Sequence, residues 1–209
     1  MSDPTHVEVH RKARRHLARG DAILKSVIAG IGDCTLVPSG QPFVVLVRSV
    51  VSQCISTAAA RTISARIDQA TGGIAPDSIL SLGEQRLREL GLSGAKARTI
   101  LDLATRTEDG SLPLGALSEL TDEEIIASLS AIRGIGTWTA EMFLIFCLGR
   151  PDVLPVGDLG LRAAVQVCYE LTEMPRPAEL RRLAEPWGPY RSIATWYLWR
   201  SRGGVPQSK

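Results

Sequence analysis

The stretch that decides the fold runs from Leu129 to Asp158 and reads LSAIRGIGTWTAEMFLIFCLGRPDVLPVGD. It predicts a helix, a turn containing Gly134 and Gly136, a second and apolar helix from Thr137, and one carboxylate, Asp158, soon after that helix. Both glycines can take a positive φ without a Cβ clash, and their small size lets a ligand approach the main chain. The unpaired amides that open the second helix, with the positive end of its dipole, form an anion site.

A DNA phosphate fits such a site. The contact would use only the main chain, so it would position a duplex without reading its sequence. We expect phosphate contacts from the amides around Gly134, Ile135, Gly136 and Thr137, with Arg133 and Lys96 as electrostatic contacts. The same glycines also fit an ordinary helical corner, where they would only allow close packing.

Length and composition are those of an ordinary globular protein. The chain has 209 residues, 44% hydrophobic and 22% charged, enough for one domain or two small subdomains. A net charge of +2 means that any DNA surface depends on where the charges lie. The polar start predicts no signal peptide, and the most apolar run, residues 43–55, is too short to span a membrane. We therefore expect a cytoplasmic protein that does not contact a membrane.

Histidines and cysteines give no metal pattern. No pair among Cys34, Cys54, Cys147 and Cys168 forms a Cys-x-x-Cys clip, and all three histidines lie within residues 6–16 without a matching ligand cluster. We predict no metal site and no cofactor.

The periodicity predicts an all-α protein, because no window alternates with period two for long enough to form a strand. Thr121-Asp122-Glu123-Glu124 has the form of a capping box at a helix start. Gly203–Lys209 is expected to fray. The predicted helical stretches are residues 6–32, 43–55, 57–70, 76–82, 83–90, 93–107, 121–132, 137–148, 157–170, 177–185 and 190–202.

The run Ile132–Ala140 followed by Asp158 resembles the helix-hairpin-helix (HhH-GPD) DNA glycosylases of base excision repair, and within them the 3-methyladenine DNA glycosylase II (AlkA-type) branch. The resemblance covers roughly residues 40–202. Further matching runs are Val51–Ser56 with Ala58 and Ala59, Gly91–Ser93 with Lys96, Ile100, Leu103 and Ala104, and Trp187–Ser192 with Ala194 and Tyr197–Trp199.

The resemblance implies one glycosylase domain over residues 1–209, built from two helical subdomains. One covers about 43–140 and carries the hairpin, and the other combines about 5–40 with 155–202. The family places its active site in a cleft between them. The N-terminal β domain of longer branch members is not expected here. An iron–sulfur cluster is not expected either, because the last cysteine is Cys168.

The resemblance assigns catalysis to Asp158, which would stabilise positive charge on the sugar and orient or deprotonate the attacking water. The simplest alternative is a helix N-cap, and the two roles are compatible. Lyase-competent relatives carry a lysine where this chain has Trp138. The resemblance therefore implies a monofunctional glycosylase, since no amine is available there for a Schiff base.

The base pocket implied by the resemblance contains Trp138, Met142 and Trp199, although a core role would also explain both tryptophans. An indole face favours a cationic purine by stacking and cation–π attraction. The wedge that fills the gap in the duplex falls at Cys54, with Ile55, Gln53 or another loop as alternatives. A monovalent cation on hairpin carbonyls is compatible with the family, but the chemistry does not need one.

We therefore expect a monomeric enzyme that flips alkylated purines, of the 3-methyladenine and 7-methylguanine type, out of duplex DNA and hydrolyses their N-glycosidic bond. Two alternatives stay open. One is a relative tuned to deaminated or etheno bases, and the other is a catalytically silent hairpin module that only binds DNA.

Overall fold

The computed structural model describes residues 4–205, and every regular element in that range is helical. The all-α prediction is confirmed. The chain divides into two compact units. The terminal unit comprises the described residues up to Pro38 together with Gly149–Val205, and the hairpin unit is Ser39–Leu148. The predicted boundaries were 5–40 with 155–202 for the first and 43–140 for the second.

The hairpin unit is built around α3, Pro42–Ser52, which is buried on most of its circumference. A helix that is apolar nearly all round belongs in a core, and α3 packs against Thr57–Thr71 (α4), Gly94–Glu108 (α6) and Thr137–Phe143 (α8). The other helices are α4 Thr57–Thr71, α5 Pro76–Glu89, α6 Gly94–Glu108, a 3-10 turn Leu114–Glu119, α7 Asp122–Ser130 and α8 Thr137–Phe143, which continues as a π-helical segment Leu144–Leu148.

The terminal unit is built around α11, Arg191–Ser201, whose residues from Ser192 to Trp199 are all buried. This helix packs against Pro4–Gly20 (α1), Ala22–Ile31 (α2) and Leu159–Cys168 (α9). The remaining elements are α1 Pro4–Gly20, α2 Ala22–Ile31, α9 Leu159–Cys168, α10 Pro177–Leu183 and a 3-10 turn Glu185–Trp187. The carboxylate of Asp21 ties several of them together, since it accepts hydrogen bonds from the α2 amides, from the Tyr169 hydroxyl and from the Trp187 indole.

The helix boundaries differ from the prediction in two places. The stretch 6–32 is two helices, because Asp21 caps a new helix start with its carboxylate. The predicted break between 76–82 and 83–90 is confirmed, because α5 is kinked at Gly83, whose φ of +68° and ψ of 173° are not helical. The helix predicted over 43–55 ends at Ser52. Of the segment expected to fray, residues 206–209 lie outside the described residues, and Val205 is buried.

Within residues 4–205 no helix is both long and apolar enough to cross a membrane. The described part of the chain also contains no group of three or more histidine, cysteine, aspartate or glutamate side chains placed to hold a metal ion.

Candidate functional site

The hairpin between α7 and α8 is a tight turn held by main-chain hydrogen bonds. The Ile132 amide donates to the Leu129 carbonyl at 3.1 Å, and the Ile135 amide donates to the Ile132 carbonyl at 3.0 Å. Gly134 has a φ of +86°, which glycine adopts without a Cβ clash. Gly136 does not need that freedom, because it is the N-cap of α8 and is extended, with φ −108° and ψ −179°.

The start of α8 provides amides without a helical acceptor. The Gly136 carbonyl accepts the amides of Thr139 and Ala140 at 3.0 and 3.2 Å. Amides that precede the first helical hydrogen bond have no carbonyl one turn earlier to receive them. Gly136 and Thr137 are both exposed, as is Arg133 on the other side of the turn, while Ile135 is buried and anchors the turn. Amides without a helical acceptor beside a cationic side chain suit an anionic ligand.

Two side chains from elsewhere in the hairpin unit hold the outer carbonyls of the turn. The Thr99 hydroxyl on α6 lies 3.2 Å from the Arg133 carbonyl oxygen. The side-chain amide of Gln53 donates from Nε2 to the Gly134 carbonyl at 3.0 Å and to the Thr139 hydroxyl at 3.0 Å. Thr99 also explains why position 134 is a glycine, since a Cβ there would lie 2.1 Å from Thr99 Oγ1. Sequence reasoning missed Thr99, because nothing in its surroundings along the chain marks it.

The turn after α3 carries the predicted wedge residues. Gln53 is half-buried, whereas Cys54 and Ile55 are exposed. Cys54 has a φ of +56°, which is uncommon for a residue with a side chain. The Lys96 ammonium donates to the carbonyls of Val51 and Gln53 at 2.8 and 2.7 Å, and burial lowers the pKa of Lys96 below its ordinary value.

The Asp158 carboxylate lies in the terminal unit, at the N-terminus of α9. The preceding loop turns back through hydrogen bonds from Val156 to Leu154 and from Asp158 to Pro155, at 2.8 and 2.9 Å. Asp158 is the N-cap, and its Oδ1 accepts the Leu161 amide at 2.5 Å. The residue is only 6% exposed. The positive end of the α9 dipole stabilises the negative charge at this position.

Trp199 on α11 binds the same oxygen of this carboxylate. Its Nε1 donates to Asp158 Oδ1 at 2.9 Å, and the residue is 2% exposed. Gly160 allows this approach, because a Cβ there would lie 3.2 Å from Asp158 Oδ1 and 3.7 Å from the Trp199 ring. The position of Asp158 before a helix predicts from the sequence that it is an N-cap. Only the packing of α9 on α11 brings the Trp199 indole to its carboxylate.

The remaining predicted pocket residues lie in the hairpin unit. Trp138, the second residue of α8, is half-buried, so part of its surface stays accessible. Met142, one turn later, is fully buried. A core position accounts for Met142 on its own, and its place in a base pocket stays a prediction.

Each unit thus assembles part of the predicted set. The hairpin unit brings Gln53 to the hairpin and Lys96 to the turn after α3, and the terminal unit brings Trp199 to Asp158. Gly160 was not singled out in the sequence, although a glycine two residues after a capping carboxylate is a usable signal for close packing.

A family model described as HhH-GPD superfamily base excision DNA repair protein matches residues 47–189. This range includes the turn after α3, the hairpin and Asp158. The chain therefore belongs to the HhH-GPD superfamily of base excision DNA repair proteins.

Known relatives agree with this class. The chain is 32% identical over 198 residues to the alkylbase DNA glycosidase-like protein mag2 of Schizosaccharomyces pombe, covering 91% of this chain and 93% of that protein. It is 29% identical over 171 residues to DNA-3-methyladenine glycosylase 2 of Escherichia coli, covering 77% of this chain and 57% of that protein. The resemblance to the AlkA-type branch is thus confirmed.

Solved structures give the same fold. The 3-methyladenine DNA glycosylase Mag1 of Schizosaccharomyces pombe, solved in complex with abasic DNA, superposes with a TM-score of 0.87 at 31% sequence identity. The match covers 95% of this chain and 100% of that one. The predicted helix-hairpin-helix glycosylase fold is confirmed.

Proposed function

We propose that this protein is a monofunctional DNA glycosylase of base excision repair that removes alkylated purines, of the 3-methyladenine and 7-methylguanine type, from duplex DNA. The observation that carries the proposal is the Asp158 carboxylate, placed at a helix N-terminus and held at one oxygen by two N–H donors. The names of the relatives, which include glycosylases for 3-methyladenine, support the substrate class.

The chemistry needs only one carboxylate when the base is already activated. A purine alkylated at N3 or N7 carries a positive charge, and it leaves neutral once it takes the electron pair of the N-glycosidic bond. Positive charge then builds on the sugar, as in glycoside hydrolysis, and an anionic carboxylate stabilises it. Water forms the new bond to the sugar carbon and gives up a proton, for which Asp158 is the candidate acceptor.

The DNA contacts are proposed for the hairpin unit. The amides of Gly136 and Thr137, with Arg133, would bind a backbone phosphate. The accessible face of Trp138 would stack on a cationic base that has left the helix. The exposed tip formed by Cys54 and Ile55 would occupy the gap, because the Gln53 amide is already bound to the hairpin.

The absence of lyase activity is part of the proposal. Trp138 stands where lyase-competent relatives carry lysine, so no Schiff base forms with the sugar. Incubation with DNA containing an abasic site, followed by borohydride reduction, should leave no covalent protein–DNA adduct. A trapped adduct would contradict the monofunctional assignment.

The decisive experiment measures free base released from methylated duplex DNA, without added metal. Asp158→Asn should lower the rate by about 10²–10⁴-fold, while stability changes little because asparagine caps a helix as well as aspartate. Asp152→Asn is the matched control, since Asp152 pairs with Arg191 and lies outside the motif position. Its rate should stay close to that of the wild type.

Two outcomes would replace the proposal. If the wild type binds methylated duplex DNA but releases no base, the same assay with deaminated and etheno substrates decides between another lesion and a silent binding module. If Asp158→Asn releases base as fast as the wild type, the catalytic assignment of Asp158 is wrong.

A further inference from the structure

Lys96 occupies an unusual position for a cation. It is the third residue of α6, whose N-cap Ser93 accepts the Lys96 amide at 3.3 Å. A positive side chain in the first turn of a helix opposes the helix dipole. The ammonium group, however, reaches the C-terminal end of α3, where the carbonyls of Val51 and Gln53 lack helical donors. Two of its three protons are used there.

Gln53 carries the connection onward. Its carbonyl accepts from the Lys96 ammonium at 2.7 Å, and its side-chain amide donates to the Gly134 carbonyl at 3.0 Å. The second acceptor of that amide, the Thr139 hydroxyl, belongs to the first turn of α8 and is 1% exposed. A continuous path of hydrogen bonds therefore runs from α6 through the turn after α3 to the hairpin.

We propose that Lys96 and Gln53 are positioning residues that lock the exposed tip at Cys54 and Ile55 to the hairpin before DNA binds. Lys96 acts as an internal clamp and makes no phosphate contact, in place of the electrostatic role expected from the sequence. The roles of the tip and the hairpin in DNA binding rest on the proposed function. The hydrogen bonds that hold the tip to the hairpin, which we call the lock, are present in the protein without DNA. Its consequence is that the wedge and the phosphate site meet a duplex in one fixed arrangement, which reduces the entropy lost on binding.

The lock can be tested without DNA by amide hydrogen exchange. The reporters are the amides of Ile135, Thr139 and Ala140, whose hydrogen bonds define the hairpin. Gln53→Ala and Lys96→Met should each speed their exchange about tenfold, the effect of losing one hydrogen bond to a charged or buried group. Amides of α11 should keep their wild-type rates. Reporter rates equal to wild type in both variants would overturn the lock.

Matched controls come from exposed residues of the same type. Gln85 on α5 is exposed and bonds to Glu89 on the same helix, and Lys25 on α2 is exposed. Gln85→Ala and Lys25→Met should leave the reporter amides unchanged. If Gln85→Ala or Lys25→Met speeds exchange of the reporter amides as much as Gln53→Ala or Lys96→Met does, the effect is not specific and the lock is rejected.

A second measurement separates a clamp from a phosphate contact. Binding of duplex DNA is titrated over a range of salt concentrations for the wild type, Lys96→Met and Arg133→Gln. The slope of log affinity against log salt is negative, and loss of one phosphate contact makes its magnitude smaller by about one. We expect that change for Arg133→Gln, whereas Lys96→Met should weaken binding about tenfold at every salt concentration with the slope unchanged.

The outcomes distinguish this inference from the proposed function. A slope reduced by about one in Lys96→Met would place its ammonium on a phosphate and overturn the clamp. If no variant, including the wild type, binds DNA, the proposed function fails, and the exchange rates of the hairpin amides still decide whether the lock exists.

Discussion

The indole N–H of Trp199 and the backbone N–H of Leu161 both reach Oδ1 of Asp158, at 2.9 and 2.5 Å. One oxygen of the carboxylate is thereby fixed by a side chain from α11 and by the first turn of its own helix. The orientation of the carboxyl group depends on both donors, so catalysis should depend on a tryptophan that has 2% of its surface exposed.

Trp199→Phe should slow base release about tenfold or more, because it removes a hydrogen bond to a charged group while keeping an aromatic ring in the core. The measurement is single-turnover release of free base from methylated duplex DNA. Trp196→Phe is the control on the same helix, since its ring contacts Tyr197 and Arg200. Equal rates in the two variants would mean that the indole N–H does not matter for Asp158.

Gly134→Ala should unfold or distort the hairpin, because the added Cβ would lie 2.1 Å from Thr99 Oγ1 at a φ of +86°. We expect a loss of about 1–3 kcal/mol in the free energy of unfolding, measured by urea titration, together with weaker DNA binding. Gly115→Ala, in the 3-10 turn of the same unit, is the matched control, because nothing lies within 4 Å of the added Cβ and its φ is not positive. Adding Thr99→Ala to Gly134→Ala should restore part of the loss. No recovery would show that the clash is not the cause.

Cys54 should be the fastest-reacting thiol. It is exposed, whereas Cys168 is only partly exposed and Cys34 and Cys147 are buried. Burial raises the pKa of the Cys34 and Cys147 thiols to about 12 and about 11. Reaction with a chromogenic disulfide at neutral pH should therefore show one fast phase that Cys54→Ser removes. Under the proposed function, duplex DNA should slow this phase. Unchanged labelling in a saturated complex would exclude Cys54 from the DNA interface.

The raised pKa of Cys34 also predicts how stability depends on alkaline pH. The folded thiol keeps its proton up to about 12, while the unfolded thiol loses it near 9.0. The unfolded state is therefore favoured as pH rises between these values, by up to about 1.4 kcal/mol per pH unit for one such thiol. The free energy of unfolding should fall more steeply from pH 8 to pH 10.5 in the wild type than in Cys34→Ala. Parallel curves would contradict this assignment.

Local chemistry made several elements predictable from the sequence. The capping box at Thr121 forms as expected, since the Thr121 amide donates to Glu124 Oε2 at 2.9 Å and the Glu124 amide donates to Thr121 Oγ1 at 3.3 Å. The hairpin and the capping carboxylate Asp158 were also predictable. Each of these features involves residues within about one helical turn, so neighbouring side chains and backbone preferences decide it.

Tertiary packing decided the rest. The side-chain amide of Gln53 donates to the Gly134 carbonyl, 81 positions away in the chain. The Trp199 indole donates to the Asp158 carboxylate, 41 positions away. Such contacts depend on which helix faces which, and side-chain periodicity does not specify that. The same limit applies to Lys96, for which the sequence predicts only an electrostatic contact with DNA. Its charge is visible in the chain, but the two carbonyls that receive its protons meet it only because α6 packs against the end of α3.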